Sequence, residues 1–347
     1  MFTACFVITE KCNLHCDYCY MNNNDIFMTK DTFKHHYHKN LPYFLNQYNQ
    51  QKYNLDLFGG EPLLNWNLIE YINEYVKNDK NCTLNILTNG TLLDNYKVDY
   101  IKKNNINTSI SFDGLWSEKL ELYIKKLNLI KKLVNNVNVC VTPKNIEMSK
   151  NYEYMIEHFN ILPNFKIVRD NIWEDKDVEI FKIELNKLIK SYIKFLAKSK
   201  NYLPGLIKYN LSLMIESTLH DMNKTRCFAG NNGVAFSIDG KVYPCARFLT
   251  NDSYVLYDGN NYVEKNIKKI NKLSNTFSKN CDICSINSYC NYMCLQQEIK
   301  NGLSSNLCKI YQILSDKIIE INNKFKSNKF WMTEVYNIYN NVRGNNG

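Results

Sequence analysis

A chain of 347 residues, 45% of them hydrophobic, is long enough for one large domain and a smaller one, each with its own core. No apolar run approaches the length of a membrane span, and Met1–Ile8 is too short, and too poor in charge, for an export signal, so the expected location is the cytoplasm with no membrane partner. The net charge of +9 is carried largely by lysines on helical stretches (Lys182, Lys187, Lys190, Lys194, Lys198), which read as a solvated face; the absence of a dense Arg/Lys cluster speaks against nucleic acid. Thirteen cysteines in a reducing compartment point to metal rather than disulfides.

In chain order, the apolar runs Ala4–Ile8, Tyr53–Phe58, Leu84–Thr88, Asn107–Phe112, Val137–Thr142 and Phe165–Val168 read as strands. Amphipathic stretches such as Leu68–Val76, Leu120–Val134 and Tyr152–Phe159 alternate with them. Six strand–helix units in series imply an α/β fold, a parallel sheet with outer helices, curled by right-handed crossovers into a partial barrel. Function in such folds sits on the loops that leave the strands' C-terminal ends. Residues 170–222 read as mainly helical with Pro204–Gly205 as the hinge, Lys309–Phe325 as a helix, and the chain after Tyr339 as frayed.

The loop after the first strand carries Cys12, Cys16 and Cys19 at C-x3-C-x2-C spacing. Clustered thiolates bind soft metal, and three of them leave one iron of a cubane iron–sulfur cluster open. A zinc site needs a fourth ligand, and none lies at suitable spacing nearby. After the second strand comes Gly59-Gly60-Glu61-Pro62, where the missing Cβ atoms let backbone approach a ligand, Glu61 offers a carboxylate to an ammonium group and Pro62 stiffens the exit. Thr88 ends strand three and Asn89-Gly90-Thr91 follows it, and Ser111 precedes Asp113-Gly114 after strand four. Cys5, Cys82 and Cys140 read as small buried hydrophobes, and His35, His36 and His38 as surface residues of a polar helix.

With Tyr18 as the aromatic before its third cysteine, the loop resembles the C-x3-C-x-aromatic-C signature of the radical S-adenosylmethionine (radical SAM) enzymes, and the resemblance covers nearly the whole chain. It implies a [4Fe–4S] cluster on Cys12, Cys16 and Cys19, with S-adenosylmethionine held by Tyr18, Gly59, Gly60, Glu61, Pro62, Thr88, Asn89 and Ser111. Many relatives add a His and an Arg after the S-x-D-G turn. Here Leu115–Lys119 has neither, which leaves Lys119 or Arg169 as candidates for the cofactor carboxylate, with an ordinary surface ion pair as the plain reading of Arg169.

A second cysteine set, Cys227, Cys245, Cys281, Cys284, Cys290, Cys294 and Cys308, is similar to the SPASM domain, which holds auxiliary clusters. The resemblance implies one auxiliary [4Fe–4S] cluster on Cys281, Cys284, Cys290 and Cys308, and a second on Cys227, Cys245 and Cys294. The fourth position of the latter is left to an open iron, to His220 or Asp221, or to a substrate thiol. The implied division is residues 1–205 as the radical SAM partial barrel, 206–225 as a helical linker, 226–310 as the SPASM domain, and 311–347 as the C-terminal helix and tail.

What surrounds Cys227 and Cys245 also looks like enzymes that modify ribosomally made peptides. The resemblance implies a maturase acting on a precursor peptide, with thioether formation as the expected outcome and a flavodoxin- or ferredoxin-type electron donor. Only eleven residues precede Cys12, so a leader is expected to be bound by a separate protein, by the basic helices, or not at all. Carbon–carbon crosslinking and epimerisation stay open. Sulfatase-type maturation is demoted because Ala246 stands where those relatives carry an Asp base. From other classes, a non-catalytic electron carrier would not need the Gly59–Pro62 and Ser111 pocket, and a zinc-stabilised interaction protein would purify colourless.

Overall fold

The computed structural model describes residues 1–112, 115, 120–170, 172–197, 203–219, 227–249, 251–275, 281, 283–290 and 294–344. Strands form at β1 (Phe2–Thr9), β2 (Tyr53–Gly59), β3 (Cys82–Thr88), β4 (Asn107–Phe112), β5 (Asn136–Val141), β6 (Leu162–Ile167), β7 (Gly233–Phe236) and β8 (Val242–Tyr243). The first six match the expected runs to within one to three residues, with helices between them. They form because each run places apolar side chains at alternate positions on one sheet face.

The chain divides into two compact units. The first comprises Met1–Ser111, Glu121–Val134 and Cys227–Thr276. In it β1 to β4 pair in parallel in sequence order, β7 adds to the other side of β1 in parallel, and β8 follows antiparallel. Ala4, Phe6 and Ile8 of β1 and Leu55 and Leu57 of β2 are buried on the helix-covered face, where Phe6 packs on Phe33 at 5.4 Å and Phe236 at 4.5 Å between ring centres. The helix Trp66–Val76 buries Leu68, Ile69, Ile72 and Val76. The opposite face carries Thr3, Cys5, Asn54, Asp56, Phe58, Thr83 and Asn85, all only half-buried. Parallel sheets are ordinarily apolar on both faces. This inner face also carries Val7 and Leu87 beside Phe58, but Asp56 and its amide and hydroxyl neighbours make it more polar than such a face ordinarily is.

The helix Lys30–His35, capped by Thr29, runs into a π-helical turn over His36–Asn40. His35 and His38 are exposed as expected, but His36 is fully buried, a correction to its surface reading. Its Nε2 donates to the Ser237 carbonyl at 2.9 Å, since a carbonyl only accepts, and its Nδ1 accepts from Asn40 at 2.9 Å. Burial pulls its pKa down to about 4, reinforced by His35 and opposed by Ser237 and Asp239. The unfolded chain therefore takes up a proton near pH 6.5 that the folded one refuses until about pH 4, so stability falls as pH drops through that window. Going from pH 7.5 to pH 5 is expected to cost the wild type about 2 kcal/mol more than it costs His36→Gln, read from denaturant unfolding. Equal losses in both proteins would refute the assignment.

The second unit comprises Phe112–Leu120, Asn135–Arg226 and Phe277–Gly347. Its β5 and β6 pair in parallel, and the helix Met148–Phe159 connects them. The helix Ser305–Phe325 packs on Asp175–Ala197 and on Gly205–Leu219, and the helix Lys329–Gly344 packs on Gly205–Leu219. Ser304 caps the first of these, accepting from the Leu307 amide, so it begins four residues before the expected Lys309 and takes Cys308 into its first turn. The last helix runs on to Gly344, where fraying after Tyr339 was expected. No helix among the described residues is long and apolar enough to cross a membrane.

Candidate active site

The exits of β1 and β2 are locked together through backbone. The Gly60 amide donates to the Thr9 carbonyl at 2.8 Å and the Glu61 amide to the Lys11 carbonyl at 2.8 Å. A Cβ on Gly59 would lie 2.0 Å from the Thr9 oxygen, and one on Gly60 would lie 2.2 Å from the Lys11 oxygen; Gly59 also has φ +148°. The glycines are thus required by the approach of the strand that delivers the cysteine loop.

Glu61 is fully buried. Its Oε1 accepts from the Leu63 amide at 3.0 Å and the Thr88 hydroxyl at 2.6 Å, and its Oε2 accepts from the Asn89 amide at 2.8 Å. Burial pushes its pKa up to about 6 against the pull of Thr88, Asn89 and Leu63. With three donors already on it and no surface exposed, the carboxylate acts as the clamp between the two loops.

The clamp continues into the cysteine loop. Asn89 Nδ2 donates to Asn13 Oδ1 at 3.0 Å and lies 4.0 Å from the Cys12 sulfur; Asn13 Nδ2 donates to Thr91 Oγ1 at 2.8 Å. The Thr91 amide closes the circuit on Asn89 Oδ1 at 3.0 Å. The Cys12 amide donates to Asn23 Oδ1 at 2.8 Å, and the Cys19 amide to the Cys16 carbonyl at 3.0 Å. Asn13 and Asn23 were not singled out in the sequence, and Thr91 only as part of the Asn89-Gly90-Thr91 loop; their signal there is their position within or beside the motif loops.

Cys12 and Cys16 are half-buried and Cys19 is exposed. Ser111 Oγ donates to the Thr88 carbonyl at 3.4 Å, which sets it beside the same strand end, and Tyr18 is half-buried on the cysteine loop. Cys12, Cys16, Cys19, Tyr18, Gly59, Gly60, Glu61, Pro62, Thr88, Asn89 and Ser111 are therefore on one rim of the first unit. Among the described residues no three Cys, His, Asp or Glu side chains converge as ligands of a single ion. The donor set, three thiols on one loop, is soft and fits an iron–sulfur cluster. Asp113-Gly114 and Lys119 lie outside the described residues.

In the second unit, burial pushes the Cys308 thiol up to about 11, with Cys290, Cys281 and Cys284 adding to the shift. Four thiols thus share one neighbourhood, with Gln312 Nε2 donating to the Cys284 sulfur at 3.7 Å. That donor set also fits a cluster, whose binding would displace the thiol protons. Cys227 and Cys245 belong to the first unit, where the Gly230 amide ties the Cys227 loop to the Pro244 carbonyl at 2.9 Å. Cys294 precedes the helix Leu295–Asn301 in the second. His220 and Asp221 lie outside the described residues. Arg169 is not in a surface pair. Burial alone would lower its pKa, but the Tyr311 hydroxyl it bonds to, Cys294 and Tyr209 outweigh burial and hold it above its usual value.

Residues 6–142 match the Radical SAM superfamily. The chain carries a radical SAM domain and is an enzyme. Such a domain implies a [4Fe–4S] cluster with S-adenosylmethionine. The chain is 24% identical over 356 residues to the radical SAM cyclopropyl synthase TigE of Paramaledivibacter caminithermalis, covering 90% of this chain and 73% of that one. Among solved structures, anSMEcpe with bound AdoMet superposes with a TM-score of 0.70 at 18% identity, covering 93% of this chain and 95% of that one. SuiB of Streptococcus suis, bound to its precursor peptide SuiA, gives 0.56 at 14%, covering 86% and 73%. These two likenesses bear on the fold, a mixed α/β architecture with a mostly parallel sheet consistent with the partial radical SAM barrel.

Proposed function

We propose that this enzyme is a peptide maturase that removes hydrogen from a ribosomally made peptide and joins two of its groups, with a thioether between a Cys sulfur and a carbon as the product. The observation that carries the reading is the coexistence of two thiol sites: three cysteines on the radical SAM rim, and four gathered around Cys308. The rim holds a cluster through Cys12, Cys16 and Cys19, and S-adenosylmethionine through Tyr18, the Gly59–Pro62 backbone, Thr88, Asn89 and Ser111, with Glu61 fixing the loop. Bound there, the pair supplies a 5′-deoxyadenosyl radical. Cys281, Cys284, Cys290 and Cys308 hold one auxiliary cluster and Cys227, Cys245 and Cys294 the other, the latter by resemblance. The division at residues 205, 225 and 310, the cytoplasmic location, the flavodoxin- or ferredoxin-type donor and a separate leader-binding protein belong to the same proposal.

The peptide partner is supported by what similar folds hold: SuiB is solved with SuiA, and anSMEcpe with the Cp18Cys peptide. Ala246 provides no titratable group, which weighs against formylglycine formation. A second reading, closure between two carbons, is favoured by the likeness to TigE, a cyclopropyl synthase.

The test is anaerobic co-expression in heavy water with each short peptide encoded beside the gene, followed by intact mass and thiol alkylation. Loss of two hydrogens with one fewer alkylatable thiol is the expected result. Loss of two hydrogens with every thiol retained selects carbon–carbon closure, and gain of one deuterium without loss selects epimerisation. Unchanged peptides, while S-adenosylmethionine is still cleaved, would overturn the reading.

A further inference from the structure

We infer that Asp56 is the proton acceptor of this reaction, a catalytic residue on the inner face of the first unit's sheet; the inference rests on the peptide-maturase reading. The register aligns Cys5 of β1 with Asp56 of β2, and Asp56 with Asn85 of β3. The three side chains form one row on the face turned away from the helices, since each flanking neighbour (Ala4, Phe6, Leu55, Leu57, Leu84, Ile86) is buried on the opposite one. Asp56 lies three residues before Gly59, which sets it about 10 Å from the rim along the strand.

Asp56 Oδ1 accepts from Asn85 Nδ2 at 2.7 Å. Among the described residues no cation pairs with this carboxylate, and Oδ2 takes part in no hydrogen bond. A half-buried carboxylate without a counter-charge costs stability, and Asn or Val would serve the strand better. Its surroundings explain its presence. The Cys5 thiol is bracketed by Asp56 and Cys245. Tyr20, next in sequence to Cys19, is an exposed residue whose hydroxyl lies near Cys5 and Cys245, its ring stacked on Phe58 at 6.4 Å and the Arg247 guanidinium 4.4 Å above it. Asp56 therefore shares its face with groups that lie between the third cysteine of the rim and Cys245.

The chemistry needs such a group. Joining a peptide carbon to a second group X removes two hydrogens. The first leaves the carbon as an atom and ends in 5′-deoxyadenosine. As X bonds to that carbon, the X–H bond breaks; its proton goes to Asp56 Oδ2 and the one surplus electron to an iron–sulfur centre as acceptor. The groups facing Asp56 are the Cys5 thiol from β1 and the uncharged Asn85 amide from β3, with Cys245, Tyr20 and Arg247 beyond them. Burial raises the Asp56 pKa, opposed by Asn85, toward the range where a carboxylate is an effective base.

The test compares wild type, Asp56→Asn and Asp56→Glu as anaerobic holoenzymes, with the co-encoded peptide that the wild type modifies as the probe. Asp56→Asn is expected to keep its iron content, peptide affinity (by fluorescence anisotropy) and S-adenosylmethionine cleavage, while joined product falls about a hundredfold. In heavy water its unjoined peptide gains deuterium at the attacked carbon, the mark of a radical formed and then quenched. Asp56→Glu restores part of the product, with a displaced acid limb in its pH profile. Product formed by Asp56→Asn at the wild-type rate and pH profile overturns the inference while the maturase reading stands. Loss of iron or peptide binding in both variants assigns Asp56 a structural role and also overturns it. A wild type that modifies none of the peptides overturns the reading and the inference with it.

Discussion

Replacing Cys12, Cys16 and Cys19 together by Ala is expected to abolish S-adenosylmethionine cleavage, leaving less than about a thousandth of the wild-type yield of 5′-deoxyadenosine, because the cofactor chemistry has no other seat on the rim. On the proposed content of three clusters, iron per chain should fall by about a third. The remaining two thirds should stay, since neither auxiliary set (Cys281, Cys284, Cys290 and Cys308; Cys227, Cys245 and Cys294) includes a cysteine of the substituted loop. The protein should remain folded. The loop's ties through Asn13, Asn23 and the backbone amides of Gly60 and Glu61 use no cysteine side chain; among those lost are only the weak bonds from the Leu14 amide and Asn89 Nδ2 to the Cys12 sulfur, at 3.4 and 4.0 Å. Nucleoside product by liquid chromatography, iron per chain and a melting curve read the three effects. Cleavage that survives, or iron that does not fall, would remove the cysteine loop from the reaction.

Why the sequence was informative about some features and silent about others has a physical pattern. The strands β1 to β6 were legible because each is a short run with apolar side chains at alternate positions, set between stretches of helical period. The cysteine spacings were legible because a loop that binds a cluster must supply its thiols locally. Features that depend on partners far along the chain were not. The burial of His36 requires the Ser237 carbonyl, which lies 201 residues away. The part Gly59 and Gly60 play was taken as approach to a ligand, when the nearest obstacle to a Cβ is the backbone of Thr9 and Lys11. Arg169 read as a surface or cofactor residue because nothing nearby shows that Tyr311 and Cys294 surround it. Asp56 and Cys5, each unremarkable in its strand, become a pair only through the register of β1 on β2. Local pattern gave the elements; only tertiary register gave the inner face.

The clamp on Glu61 makes the second large effect. Glu61→Ala leaves the Leu63 amide, the Thr88 hydroxyl and the Asn89 amide without an acceptor in a fully buried position. Each orphaned donor costs about 1–3 kcal/mol, so the gross loss is several kcal/mol. One term opposes it. A carboxyl raised from 4.5 to about 6 by burial lowers the wild type's stability at neutral pH by about 2 kcal/mol, a burden that Ala lacks. The donors win, and the variant is expected to be about 2–4 kcal/mol less stable at pH 7.5. The sign of the pH dependence follows from the order of titration. Because the unfolded chain gives up its proton near 4.5 and the folded one near 6, wild-type stability falls as pH rises through that window and is flat above it. The gap between wild type and Glu61→Ala should therefore widen by about 1 kcal/mol on going from pH 7.5 to pH 5, measured by denaturant unfolding at both. S-adenosylmethionine cleavage should fall along with stability, because Asn89 is what carries the clamp to Asn13 beside Cys12. A gap that narrows toward acid, or a variant as stable as the wild type, would mean that Glu61 is not the charged clamp its three donors describe.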